Sequence, residues 1–183
     1  QRPAPCVARL DFPEDWPILV ILPRPEVDWS GARELGAFRV LPPIPEPRTN
    51  RLCRLVLLHV LPAVATRDLE TFGQAIEEFQ TIVGESFAPI QGGLFSHRTL
   101  DPMISRLREF DLHGVGQSSW GPALYAFARA ELPASERQAL LARVRELWNL
   151  DERQAFWTAA NNTSAEIQFR GSNGTERYDW ITH

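Results

Sequence analysis

Strand and helix signals fall in separate runs along this 183-residue chain, and that separation constrains its fold more than any other feature. A continuous apolar stretch at 16–22, rich in β-branched residues and stopped by Pro23 and Pro25, predicts one buried strand. Three helical patterns follow before any further strand. Thr49 or Asn50 caps the first, which carries Leu52, Cys53, Leu55, Val56, Leu58 and Leu61. It is apolar almost all round, which predicts a central helix, and Pro62 ends or kinks it. The second repeats Leu69, Phe72, Ile76, Phe79 and Val83 at three- and four-residue steps, with Asp68 and Glu70 at the end that favours acids. The third runs from a Thr99 cap through Met103, Ile104, Leu107 and Phe110.

Residues 114–122 then form a tight polar turn leading into the apolar segment 123–128, which suits a strand. Ser135 and Gln138 make a capping box ahead of Leu140, Leu141, Val144, Leu147 and Trp148, predicting a fourth helix. Residues 156–160 predict another strand. After the Asn161-Asn162 turn, Ala165, Ile167 and Phe169 alternate with polar neighbours as on a half-buried strand. Residues 171–183 read as a weakly ordered tail. The first strand and a proline-rich arm, with a short helical candidate at 30–38, fill 13–50. This order predicts an α+β sandwich over residues 1–170, with helices stacked on one face of an antiparallel sheet.

Composition removes several functions. The formal charge is -4 and every one of the 19 basic residues is Arg. A mildly acidic surface does not suit nucleic acid, whose binding needs a basic face to release counterions. Without Lys there is no P-loop lysine and no Schiff base, so fixed positive charge for a phosphate must come from Arg. The longest apolar run near the middle, Leu55 to Leu58, is cut by His59 and Pro62, far short of a membrane span. Gln1 to Arg9 holds no apolar stretch of the signal-peptide kind, and Cys6 and Cys53 lack metal spacing. A free buried thiol at Cys53 and a reducing, cytoplasmic location are expected. His59, His97, His113 and His183 show no zinc spacing. His59 is expected to be a hydrogen-bonded core residue.

Chemistry is best sought at two glycine turns. In the run Gly114, Val115, Gly116, Gln117, Ser118, Ser119, Trp120, Gly121, backbone amides can form an anion-binding concavity, with Gln and Ser side chains adding hydrogen bonds. The same run equally suits a hairpin whose polar groups satisfy its own backbone. Trp120 stands inside it, either to stack on a planar ring or to wedge the hairpin against the helices. Around Gln91, Gly92 and Gly93, a helix-terminating loop with a left-handed glycine is favoured, although Gln91 could face a ligand. Arg33-Glu34 offers an Arg for a phosphate, and His97 and His113 flank the two turns.

The run Gly114-Val115-Gly116-Gln117-Ser118-Ser119-Trp120-Gly121-Pro122 closely resembles the late motif of β-ribofuranosylaminobenzene 5′-phosphate synthases, members of the GHMP kinase superfamily. Residues 89–95, 52–63, 68–84, and Gly31 to Glu34 with Ala37-Phe38 are similar to the same family, so the resemblance covers about 14–170. It implies a C-terminal domain of ferredoxin-like α+β type. The N-terminal phosphate-loop domain would then be missing from a chain that starts at Gln1. It also implies an enzyme condensing phosphoribosyl pyrophosphate, with Mg²⁺, and 4-aminobenzoate or 4-hydroxybenzoate, losing pyrophosphate and CO₂, in tetrahydromethanopterin biosynthesis. Gly114, Gly116, Gln117, Ser118, Ser119 and Trp120, with Gln91, Gly92 and Gly93, would then touch substrate or phosphate. The Gln-Ser-Ser-Trp run departs from the more glycine-rich motif of the sugar kinases, which weighs against ATP phosphotransfer. That kinase activity, and a non-catalytic scaffold or homodimerisation role, are the alternatives. The fragment alone is expected to be inactive.

Overall fold

In the computed structural model, the described residues are 5–24, 31–96, 99–163, 166–171 and 174–179, with backbone only at 32, 33 and beyond 163. Four strands form one sheet: β1 (Ile18–Ile21), β2 (His113–Gln117), β3 (Leu124–Phe127) and β4 (Ala155–Thr158), in the order β2-β3-β1-β4. All three pairings are antiparallel. Helices α1 (Ala32–Val40), α2 (Glu46–Leu55), α3 (Leu61–Thr66), α4 (Leu69–Gln91) and α5 (Leu100–Arg108) come between β1 and β2, and α6 (Ala134–Trp148) comes between β3 and β4. Crossing from β1 to β2 leaves a gap that β3 fills, which is the expected α+β sandwich of ferredoxin-like kind.

Alternation along the strands assigns the two faces. Leu19 pairs with Ala126 and Ile21 with Leu124, and these four join Val115, Ala155, Leu107 of α5 and Val144 of α6 in one buried cluster. A fully buried Leu such as Leu107 contributes roughly 1.5–3 kcal/mol relative to exposure. The other face carries Ile18 opposite Phe127 and Val20 opposite Tyr125. Ile18, Tyr125 and Phe127 pack with Leu69 and Phe72 of α4, Val64 of α3 and Trp16. The sandwich therefore has a second helical layer beyond the one-sided stack expected from the sequence.

The approach of α4 depends on a bulge in β2. His113 faces Phe127 and Gly116 faces Tyr125, so Gly114 and Val115 together oppose one residue. Gly114 has φ 58, and a Cβ on Gly73 of α4 would lie 2.8 Å from the Gly114 nitrogen. Glycine meets glycine where helix and strand cross. The Val115 amide at the bulge is taken by the Glu77 carboxylate of α4 at 3.3 Å.

Several expectations are corrected. The helix at 46–66 is not central: it starts at Glu46, Leu57 and Leu58 are 59% and 55% exposed, and Cys53 is exposed rather than buried. Of its apolar residues, Leu55, Ala63 and Val64 are buried, Leu52, Val56, Val60 and Leu61 are half-buried, and Leu57 and Leu58 face outward. Of the two outcomes expected at Pro62, an end or a kink, the helix does not end; it continues through Pro62 after a π-helical turn at Val56–Val60, an irregularity of the kind that accompanies kinks. His59 lies on that turn and is half-buried. At α6 the capping box is not made; Pro133 is the N-cap and no side chain caps the helix. At α4, Asp68 is the cap itself, accepting from the Thr71 amide at 3.0 Å. Finally, β5 (Glu166–Gly171) is the strand expected there, but it pairs with β6 (Gly174–Asp179), which lies where a weakly ordered tail was expected, in a hairpin separate from the main sheet. Among the described residues no helix is long and apolar enough to cross a membrane.

Candidate functional site

One face of α4 builds a cavity. Gln80, Val83, Gly84, Phe87 and Gln91 recur at helical steps, and they face Glu34 and Phe38 of α1 on one side. Leu94 and Phe95 of the following loop and Gln117, Ser119 and Trp120 of the β2–β3 connection complete a cavity of about 210 Å³. The structure thus brings Gln91, from one glycine turn, together with Gln117, Ser119 and Trp120, from the other.

The three glutamines are held in place by other groups. Gln80 donates from Nε2 to the Gln117 carbonyl (3.1 Å) and the Tyr125 hydroxyl (2.8 Å). Gln117 accepts the Ser96 amide at 2.9 Å and donates to the Ser119 carbonyl at 2.8 Å. Gln91 donates to the carbonyls of Gly93 and Leu94 and accepts the Trp120 indole N–H at 2.7 Å. Gln117 is only 4% exposed, so these bonds offset the cost of burying its amide. Burial raises the Tyr125 phenol pKa, opposed by the Gln80 hydrogen bond, and the phenol stays protonated at neutral pH.

Trp120 is buried and packs edge-on to Phe87 with ring centroids 4.8 Å apart, and tilted to Phe38 at 5.2 Å. It wedges the hairpin against α1 and α4 while presenting part of its surface to the cavity. The turn itself is closed by Gly121 N–H donating to the Ser118 carbonyl, and Ser119 sits at φ 54. Ser118 and Ser119 are exposed.

The glycines have other roles. Gly114 and Gly116 are buried on β2, and a Cβ at Gly116 would meet the Tyr125 hydroxyl at 2.7 Å. They allow close packing with α4 and Tyr125 and do not line the cavity. Gly92 has φ 80 and caps α4 in the left-handed conformation, as favoured from sequence. Gly93 borders the Gln91 bonds without lining the cavity. The Arg33 side chain, His97 and His183 lie outside the described residues. Gln80, Val83 and Phe87 had escaped notice as site residues; their shared helical face with Gln91 was the available signal.

His113 lies away from the cavity, its Cβ against Gly73 and its Nε2 buried without a hydrogen-bond partner among the described residues. Burial first, and Arg129 second, lower its pKa from 6.5, against Asp111, Glu70 and Glu77. The folded state therefore binds this proton less readily than the unfolded state. Stability from this residue is complete above pH 6.5 and is lost as pH falls through the lowered value. A urea-midpoint series from pH 7.5 downward should show that decline. His113→Gln should flatten it, and an equally steep decline in that variant would rule the assignment out.

Among the described residues no group of three His, Cys, Asp or Glu is placed to hold a metal ion. The cavity's described side chains include one acid, Glu34, and no Arg. What it offers is an aromatic and aliphatic wall with a glutamine floor.

A family model described as GHMP kinases C terminal matches residues 60–150. The β-ribofuranosylphenol 5′-phosphate synthase of Methanothermobacter thermautotrophicus is 35% identical over 128 residues, 68% of this chain and 36% of that protein. Its namesake in Methanocaldococcus jannaschii is 34% identical over 131 residues, covering 72% and 37%. That of Archaeoglobus fulgidus is 34% identical over 137 residues, covering 74% and 40%. The chain thus spans well under half the length of these curated relatives. Among solved structures, homoserine kinase from Cytophaga hutchinsonii matches 84% of this chain and 43% of its own, at 14% identity and TM-score 0.48.

Proposed function

Since the chain belongs to the GHMP kinase superfamily through its C-terminal domain, we propose that it forms part of a pentosyl transferase of the β-ribofuranosylbenzene 5′-phosphate synthase type. The reaction joins phosphoribosyl pyrophosphate to 4-hydroxybenzoate or 4-aminobenzoate. The sugar C1–O bond to pyrophosphate breaks, the ring carbon bearing the carboxylate bonds to C1, and CO₂ leaves with its bonding pair remaining on the ring to restore aromaticity. The product is a step toward tetrahydromethanopterin. The observation that carries this reading is the similarity to three relatives named as synthases, over about 70% of the chain.

The cavity supports a division of labour. An aromatic slot without a described Arg suits the acceptor ring and not a phosphate. Phosphate contacts are proposed to come largely from the part of the protein that this chain does not represent. Ser118 and Ser119, exposed on the turn beside the cavity, are proposed to hydrogen-bond the sugar phosphate as it meets the ring. Mg²⁺ is proposed to enter with phosphoribosyl pyrophosphate, since the described acids do not fit a resident metal.

Mass spectrometry of the full-length protein with phosphoribosyl pyrophosphate, Mg²⁺ and each benzoate tests the reading. A ribosylated phenol or aniline with equimolar CO₂ is expected, and no turnover from these 183 residues alone. Phosphorylation of a small molecule by ATP, with no ribosylated product, would replace this reading by the kinase one.

A further inference from the structure

We propose that the α1–α4 cavity is a specificity pocket for a single aromatic ring bearing a hydrogen-bond donor, and that Glu34 selects the donor. The proposal rests on the transferase reading only for the ring's place in a reaction; the binding itself follows from the walls. At about 210 Å³ the cavity exceeds the roughly 150 Å³ that holds a benzene in an engineered protein core. It is too small for a ring with a sugar phosphate attached, so ring and sugar must meet at its mouth. Phe38, Phe87 and Trp120 supply ring edges and faces, and Val83 and Leu94 supply aliphatic surface.

Polar matching narrows the ligand further. The Gln91 amide already makes three hydrogen bonds, the Gln80 amide is tied to the Gln117 carbonyl and the Tyr125 hydroxyl, and the Gln117 amide to the Ser96 N–H and the Ser119 carbonyl. These groups shape the pocket but have little left for a ligand. Glu34 is different: it is half-buried, lines the cavity, and enters none of the ion pairs or hydrogen bonds found among the described residues. A carboxylate accepts and cannot donate, so it favours a phenol O–H or an aniline N–H, and charge assistance strengthens that bond. The same charge repels a carboxylate at that end of the ring. A 4-hydroxy or 4-amino arene acid would therefore turn its donor to Glu34 and its carboxylate away from it.

Isothermal titration of this chain with 4-hydroxybenzoate, 4-aminobenzoate, benzoate and terephthalate gives the test. The two donor-bearing acids should bind at least about tenfold more tightly than benzoate, and terephthalate should not bind measurably. Glu34→Leu should bring the four ligands within about threefold of one another. Glu34→Gln, which keeps an acceptor but loses the charge, should admit terephthalate. Equal affinities for benzoate and 4-hydroxybenzoate in the unaltered chain would overturn the proposal, as would an unchanged preference in Glu34→Leu. The two readings separate in the full-length protein. Product formation with an acceptor KM indifferent to Glu34→Leu removes the pocket and keeps the transferase. Donor-selective binding without ribosylated product keeps the pocket and removes the transferase.

Discussion

Replacing Gly84 by Ala should destabilise the protein by about 3 kcal/mol or more, the upper part of the range for overpacking a tight core. Gly84 is buried on α4 where the helix passes the loop after it. A Cβ there would overlap the Leu94 carbonyl oxygen and sit 3.1 Å from the Leu94 carbonyl carbon and 3.2 Å from its Cα. All three atoms are backbone, so no side chain can swing aside. The loop must move instead, and it is tied by the Gln91 bonds to the Gly93 and Leu94 carbonyls and by the Ser96 amide to Gln117. At roughly 2–4 °C per kcal/mol for a chain of this size, the melting temperature should fall by about 6–12 °C. Two alanines act as controls. Gly93→Ala meets nothing closer than 3.9 Å and should be near neutral, whereas Gly36→Ala, open on all sides within α1, should stabilise by about 0.5–1 kcal/mol. If Gly84→Ala melts with Gly93→Ala, the close approach of α4 to the loop is not what the structure describes.

That contact illustrates what could be read from the chain and what could not. The period of Leu69, Phe72, Ile76 and Val83 marked α4, and the Gly92 cap marked its end, because both are local properties of backbone and burial. The strand order was open to inference from the succession of elements. The close approaches were not. Gly114 and Gly116 suited a ligand-cradling turn and a self-satisfied hairpin equally, because glycine permits close approach by anything; the fold shows that Gly73 approaches the first and Tyr125 the second. The helix at 46–66 went wrong for a related reason. Its apolar residues were counted without knowing which turned inward, and a π-helical turn ahead of Pro62 shifts the phase that a 3.6-residue period assumes. In the candidate site, Gln91, Gln117, Ser119 and Trp120 were legible as polar or aromatic residues beside glycines. Gln80 and Phe87 were hidden inside a helix that already had a sufficient apolar stripe.

Trp120 decides between the two roles its place in the turn allowed. If it is chiefly a wedge, Trp120→Ala should cost about 3–5 kcal/mol, the range for deleting a buried large aromatic, and should remove the near-ultraviolet dichroism of the α1–α4 cluster. Its ring contacts with Phe38 and Phe87 contribute to the packing part. The bond from its indole N–H to Gln91 adds to this, since Gln91 would keep its bonds to Gly93 and Leu94 but lose the donor on its own oxygen. Trp120→Phe separates the two in part: it keeps one aromatic ring and loses the donor together with the five-membered ring that carries it, so it should cost about 1–3 kcal/mol. Pairing Trp120→Phe with Gln91→Leu should then cost less than the sum of the single changes, because the oxygen left without its donor is gone. Denaturant titration of the four proteins measures this directly. A loss under about 1 kcal/mol for Trp120→Ala would mean the ring is replaceable in the fold, and its burial would then have to be explained by what it holds in the cavity.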